Sequence, residues 1–259
     1  MKNWVYLTAI SLLLLSCSKE ETSLQPAKLV EPIAMNVFCQ NTPNDPLRSI
    51  EYEYSDGKLV METTTQQGNV QSRITYDYNP DDQLILETYE TNFQKIAKTF
   101  IYNELDQLVS IKYNITKFDG NGLVTDESER ETALEYENGL LVKESEYWGG
   151  FITYEYQFGK VISRIDHTAT GEKHHITTYK YSGDLLIEEK KENSTGGVIY
   201  LKTYEYDFRN RLLAIHDRGN TIEENEYLNY KLIEKRTYYF GIDPGFDVCY
   251  GNYIYRYEY

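Results

Sequence analysis

The sequence predicts an all-β protein: an antiparallel meander of about 16 to 18 strands, made of repeated tyrosine-rich hairpins and closed into a flattened barrel, with an open or spiral repeat sheet as the alternative. Three observations lead there. Tyrosine supplies 26 of the 259 residues, against 9 Phe and 2 Trp, and aromatic residues favour strands. Aromatic and charged residues alternate with period two, as in Ile50-Glu51-Tyr52-Glu53-Tyr54 and Tyr204-Glu205-Tyr206-Asp207-Phe208. Turn signals recur twice within a repeat of about 25 residues.

In chain order, residues 1–16 read as a secretion signal, with Lys2 ahead of an apolar stretch, Trp4 to Leu15, too short to span a bilayer comfortably. Leu14-Leu15-Ser16-Cys17 resembles the lipobox of bacterial lipoproteins. That resemblance implies cleavage before Cys17 and a lipid on its thiol, so that the protein meets the membrane through the anchor. Ser18-Lys19-Glu20-Glu21-Thr22 resembles the surface-export signal of Bacteroidota lipoproteins, which implies an outer-membrane position facing the medium, a periplasm-facing anchor being the alternative. Residues 17–32, with Pro26 and Pro32, are then the acylated Cys17 and its flexible tether, and residues 33–259 are a single β domain.

Within that domain, Tyr52 and Tyr54 lead through Ser55-Asp56-Gly57 to Leu59-Val60, and the pattern returns at Tyr76 and Tyr78 before Leu84-Ile85. Further copies are centred on Tyr102, Tyr136, Tyr156, Tyr181, Tyr206 and Tyr227, with a last half copy at Tyr253, Tyr255, Tyr257 and Tyr259. One hairpin per copy follows. Tyr-x-Tyr, a Gly- or Asp-bearing turn and then Leu resembles the tyrosine-aspartate (YD) repeats of the Rhs group, with Tyr76-Asp77 and Tyr206-Asp207 retaining the pair. Together with the lipobox it also resembles Bacteroidota lipoproteins of unknown function described as porin-like, which implies a shape and an address but no reaction.

The aromatic face is expected to be the buried one. Its opposite is mostly Glu, Lys, Thr and Arg, with one apolar position after each turn (Val60, Ile85, Val109, Leu141, Ile162, Leu186, Leu213, Ile233), read as a rim girdle too narrow to line a bilayer. Closure would bring the ends of the sheet together. With Cys17 acylated, Cys39 and Cys249 are the remaining thiols in an oxidising compartment, and a bond between them requires a closed sheet; two separately buried thiols are the alternative. A barrel this wide leaves space to fill. It is expected to flatten, to take in Asn41–Leu47 or Asn114–Glu131 as a plug, or to hold a water-filled, Tyr-lined cavity.

A net charge of −15 excludes nucleic acid as a natural partner. No catalytic signature, phosphate loop or cofactor motif is present, so the chain reads as a non-enzymatic binding or structural module without cofactor. Its candidate partners are a glycan or a surface protein, and a glycoside-active enzyme is the distant third reading, one that needs two carboxylates in a cleft with one raised pKa. Aromatics outside the repeat, Trp148, Phe118 and Phe93, are the candidate ligand-binding residues. His174 and His175 are read as pointing to opposite faces of a strand and therefore as unable to chelate, and Asp119, Asn121, Asp126 and Glu127 lack the spacing of a calcium loop.

Overall fold

The computed structural model describes residues 31–40, 42–44, 46–146, 148–238 and 253–259. Strand β1 (Ala34–Cys39) is followed by β2 (Pro46–Ser55) and β3 (Lys58–Gln66), β4 (Asn69–Tyr78) and β5 (Leu84–Thr91), β6 (Gln94–Tyr102) and β7 (Leu108–Phe118). Next come β8 (Val124–Glu137) and β9 (Leu140–Ser145), β10 (Phe151–Gln157) and β11 (Lys160–His167), β12 (Lys173–Ser182) and β13 (Leu185–Asn193). The chain continues through β14 (Val198–Tyr206) and β15 (Leu212–Asp217), β16 (Asn220–Leu228) and β17 (Lys231–Thr237), and ends on β18 (Tyr253–Glu258).

Consecutive strands pair antiparallel throughout, and β1 closes the ring. It pairs with β18 from Ala34 opposite Glu258 to Cys39 opposite Tyr253, and with β2 from Ala34 opposite Glu51 to Phe38 opposite Pro46. The eighteen strands therefore form a closed barrel, not an open or spiral sheet. Cys39, buried at the end of β1, is disulfide-bonded. Cys17 and Cys249 lie outside the described residues.

Two turn chemistries build the hairpins. Asp56-Gly57, Gln67-Gly68, Asn138-Gly139, Phe158-Gly159 and Arg218-Gly219 have positive φ at both positions, the two-residue turn whose twist matches that of its strands. A second set of loops closes around an Asx or Thr side chain: Asp207 Oδ1 accepts from Arg209 N at 2.8 Å and Arg211 N at 2.9 Å, while Asn210 adopts a φ of 62°. Asn79 and Asn103 do the same for Gln83 and Gln107. The Asp of the Tyr-Asp pair is thus a loop cap, and it follows the second tyrosine. Asp77, read as part of such a pair, instead lies within β4 opposite Leu86, and Asn79 does the capping in its repeat.

Where each second tyrosine faces the next strand, the ladder slips by one residue, so Tyr54 pairs with Leu59, Tyr78 with Leu84 and Tyr206 with Leu212. The skipped residues Val60, Ile85, Val109, Val142, Ile162, Ile187, Leu213 and Ile233 are all apolar. Six of them belong to the row expected as a rim girdle on the charged face. The structure corrects that expectation, because strand alternation puts Val60 on the side of Glu62 and Tyr52, the aromatic side.

A bulge disturbs the ladder locally, and a tyrosine from the next hairpin supplies a donor there. Tyr78 donates to Leu59 O at 2.9 Å, Tyr102 to Leu84 O at 2.9 Å, Tyr136 to Leu108 O at 3.0 Å and Tyr156 to Leu141 O at 2.7 Å. Tyr206 reaches Leu186 O and Tyr259 reaches Leu232 O, both at 2.8 Å, and Tyr54 reaches Pro32 O at 3.1 Å. These stitches run round the ring at one end, here the entry end, where Ile33 N also bonds Glu258 O as the chain enters β1.

The tyrosine face is half-buried while Glu51, Glu53, Arg73, Asp77, Lys95 and Lys112 on the other face are exposed, so the tyrosines line the concave interior. A charged outer face does not match a lipid-facing band. The interior is lined, not filled: Val37 and Thr177 are the largest side chains that are fully buried among the described residues, and the inner tyrosines keep partial contact with solvent. The expected plug at Asn114–Glu131 is instead the long β7–β8 hairpin, paired from Ser110 opposite Ala133 to Phe118 opposite Val124. In the other segment, Pro43 O accepts from Arg256 Nη1 at 2.8 Å, and Arg256 belongs to the outer face of β18.

Replacing Tyr206 with Phe leaves the Leu186 carbonyl without its donor and is expected to cost about 1 kcal/mol, and Asp207→Ala is expected to cost about the same by uncapping its loop; urea unfolding of each variant checks both. The expected Cys39–Cys249 bond is checked by non-reducing peptide mapping, and its loss through Cys39→Ser should cost about 5 kcal/mol, as for a cross-link closing a loop of this order of length.

Candidate functional site

Away from the entry end, the interior changes from neutral stitches to charge. Strand alternation puts Glu62, Glu87, Lys98, Arg164, Glu189 and Lys191 among the tyrosines because each pairs directly or through one strand with a tyrosine of the inner face, and Asp166 joins them two residues after Arg164. Tyr76 donates to Glu62 at 2.6 Å, Lys98 pairs with Glu87 at 2.6 Å, and Tyr200 and Tyr204 both donate to Glu189, the latter at 2.6 Å. Burial first, then Glu189, pushes Tyr179 up to about 12. These hydroxyls stay protonated and serve as donors.

The densest group lies toward the far end, on β9 to β13. Glu144 accepts from Tyr154 at 3.0 Å, and Glu146, two residues later, opens the β9–β10 turn within electrostatic reach of Glu144, Arg164 and Asp166. Burial, followed by repulsion from Glu144, pushes the Glu146 carboxyl up to about 7, although Arg164 opposes the shift. Asp166 has two cationic neighbours, Arg164 Nη2 at 3.2 Å and Lys191 Nζ at 3.2 Å, and the His175 ring with Nδ1 at 3.8 Å. Arg164 Nη2 meets Asp166 Oδ1 as an ion pair and not as a hydrogen bond, which leaves Oδ1 without one, and Arg164 Nε is likewise buried with no hydrogen-bond partner. Burial chiefly, with Lys191 next, holds His175 below the usual imidazole range.

The sequence reading had His174 and His175 on opposite faces. Their rings lie 3.8 Å apart, because the ladder slips between Asp166 and His167 and makes His174 the extra residue. Among the described residues no cluster of three His, Cys, Asp or Glu side chains is placed to hold an ion. Asp119 caps its own loop through Asn121 N and Leu123 N, and Asp126 pairs with Lys117 at 2.7 Å.

The three off-pattern aromatics fall at the far end on consecutive hairpins. Phe93 is at the β5–β6 turn and 65% exposed, Trp148 is in the β9–β10 turn and 59% exposed, and Phe118 ends β7, donating its N–H to Phe93 O at 2.8 Å. Trp148 is held close against its turn: a Cβ on Gly150 would sit 2.7 Å from His167 O and 2.8 Å from Trp148 Nε1. Phe93 and Phe118 are therefore adjacent, and Trp148 shares their end of the barrel and the end nearest Glu146. The charged group itself was hidden in the sequence. Its one signal was Glu144 and Glu146 at a spacing of two on a strand, which only the sheet closure turns inward.

No family model matches the chain, and no curated protein matches it. Among solved structures it is similar to a porin-like protein from Bacteroides uniformis, at 13% identity and a TM-score of 0.43, covering 70% of this chain and 94% of that one. It is also similar to chains of the TcdB2–TccC3–Cdc42 crystal structure (14% identity, TM-score 0.31) and of the Photorhabdus luminescens Tc holotoxin pore (14% identity, TM-score 0.25). Those matches cover 76% and 78% of this chain, and it spans only 12% and 14% of those much longer chains. The barrel described above rests on its own strand pairing.

A raised Glu146 carboxyl binds its proton more tightly in the folded chain than in the unfolded one, so its contribution to stability falls as pH rises from about 4.5 toward 7. Glu146→Gln should remove that fall. Urea midpoints at pH 5 and pH 8 are expected to differ more in the natural chain than in the variant.

Proposed function

We propose that the protein is a lipid-anchored, non-catalytic binding module of the outer membrane, and that its far-end mouth takes a hydroxyl-rich ligand, an oligosaccharide in the first instance. The observation that supports this is that one end of the barrel carries Trp148 and Phe93, exposed on turns, together with an inner wall of carboxylates, Tyr hydroxyls and Arg164 Nε, buried with no hydrogen-bond partner. Aromatic faces stack on the C–H face of a sugar ring, and the charged wall satisfies its hydroxyls. A water-reachable interior lets such a ligand enter without unfolding the sheet. The Lys-Glu-Glu export resemblance favours display toward the medium, with Cys17 as the point of attachment.

A second reading rests on the Glu144–Glu146 pair. Two carboxyls on one face, one hydrogen-bonded by Tyr154 and the other holding its proton near neutrality, is the division of labour that glycoside hydrolysis uses. In that reading Glu146 is the acid and Glu144 the carboxylate.

Calorimetry against a panel of neutral and acidic oligosaccharides, with product analysis by chromatography, separates the readings. The binding module predicts saturable binding without turnover, weakened about tenfold by Trp148→Ala and little changed by Glu146→Gln. Turnover abolished by Glu146→Gln would establish the enzyme instead, and absence of binding across the panel would remove the glycan as ligand.

A further inference from the structure

We propose that the entry end of the barrel docks on a lipid bilayer through the arc of hairpin tips that carries Phe158, Phe208 and Tyr230. These side chains are 94%, 88% and 69% exposed, on the turns β10–β11, β14–β15 and β16–β17. Phe158 holds the first position of a two-residue turn at a φ of 50°, where Asn, Asp and Gly are at ease and a bulky residue is not. The equivalent turn of another hairpin uses Asn138-Gly139. A phenylalanine placed there costs conformational energy as well as exposed apolar area, and neither cost is offset within the barrel.

Phe208 and Tyr230 come from neighbouring hairpins and share one cation: the Arg209 guanidinium lies 5.1 Å from the first ring and 5.3 Å from the second. Lys231 Nζ stands 4.5 Å over the Tyr259 ring beside them. The two further cations of this arc, Lys160 and Arg211, are each paired with a carboxylate, Asp184 and Asp207, at 2.7 Å. Arg209 and Lys231 therefore remain to give the aromatic arc a positive character, whereas on the opposite arc Lys58 pairs with Asp82 and the turns still carry Asp56, Asp81, Glu104 and Asp106. Aromatic tips with interspersed Arg and Lys match the interfacial layer of a bilayer bearing anionic lipids.

The occupant is indicated by where the chain enters. β1 starts at this end, next to β18, with Pro32 O bonded by Tyr54 and Ile33 N bonded to Glu258 O. The fourteen residues between Cys17 and Pro32 can reach at most about 50 Å, so a lipid on Cys17 keeps a membrane within range of this end. In this respect the proposal rests on the anchored reading above. Trp148 and Phe93, at the opposite end, are left pointing away from the membrane and toward a ligand.

The test uses the acylated protein reconstituted in phosphatidylcholine–phosphatidylglycerol vesicles, with amide exchange followed by mass spectrometry. Backbone amides of 157–160, 207–211 and 229–231 are expected to exchange about tenfold more slowly on vesicles than in the vesicle-free C17S protein, and those around Phe93 and Trp148 at an unchanged rate. In parallel, C17S protein is expected to float with the same vesicles about tenfold more tightly than C17S carrying F158S, F208S and Y230S. Equal exchange at the three turns, or equal flotation of the two proteins, overturns the docking surface. An intact mass without lipid at Cys17 overturns the anchor, and the flotation comparison then decides the docking surface by itself.

Discussion

Closure of the ring by β1 is the constraint on which the rest depends. A meander of this length has two edges, each a row of unpaired N–H and C=O groups that invites other chains. β1 meets both edges at once, in register with β18 on one side and β2 on the other. Its burial follows from that position: Val37, Phe38 and Cys39 are all buried, in a barrel where few other residues are. Because the ladder is complete around the ring, the backbone is satisfied without a packed interior. The protein can then line its lumen with tyrosines and charges.

Closing a sheet also requires bending it, and here the bend is made by the recurring bulge. Each bulge puts an extra apolar residue into the strand after the turn and strengthens the local twist. The hydroxyl of the next hairpin's second tyrosine bonds a main-chain carbonyl there. Phenylalanine would pack as well but would leave that carbonyl unbonded, which explains why tyrosine so far outnumbers phenylalanine. Where it occurs, the stitch also joins a hairpin to the one before it, so that repeats related only by sequence become mechanically continuous.

The stitches occupy the entry end and thereby leave the far end for chemistry. There, Glu144, Glu146, Asp166, Arg164 and Lys191 form a partly dry wall, in which Arg164 Nε and Asp166 Oδ1 are buried without a hydrogen bond, the latter held only by its ion pair to Arg164 Nη2. Such groups are costly to retain in a fold that neutral stitches already hold together. They lie at the end of the barrel whose turns carry Trp148 and Phe93, and the proposed ligand site rests on that placement.

Period-two alternation and turn chemistry are local properties, and they sufficed for the strand class, the hairpin count and the inward direction of Tyr52, Tyr54, Tyr204 and Tyr206. The same alternation misled wherever a residue was inserted. Val60 and its counterparts looked like a second-face row, and His174 and His175 looked opposed, because a bulge arises from cross-strand pairing and leaves no mark in one strand read alone. Loop capping was legible in type but not in register, since Asp77 and Asn79 are equally good turn formers and only the pairing of Tyr78 with Leu84 shows which one closes the loop. The sequence by itself determined that this chain makes Tyr-lined hairpins with acidic surfaces. Only the tertiary structure decided that the ends meet and that carboxylates from distant repeats share one wall, because both depend on contacts between residues far apart in the chain, which no local pattern encodes.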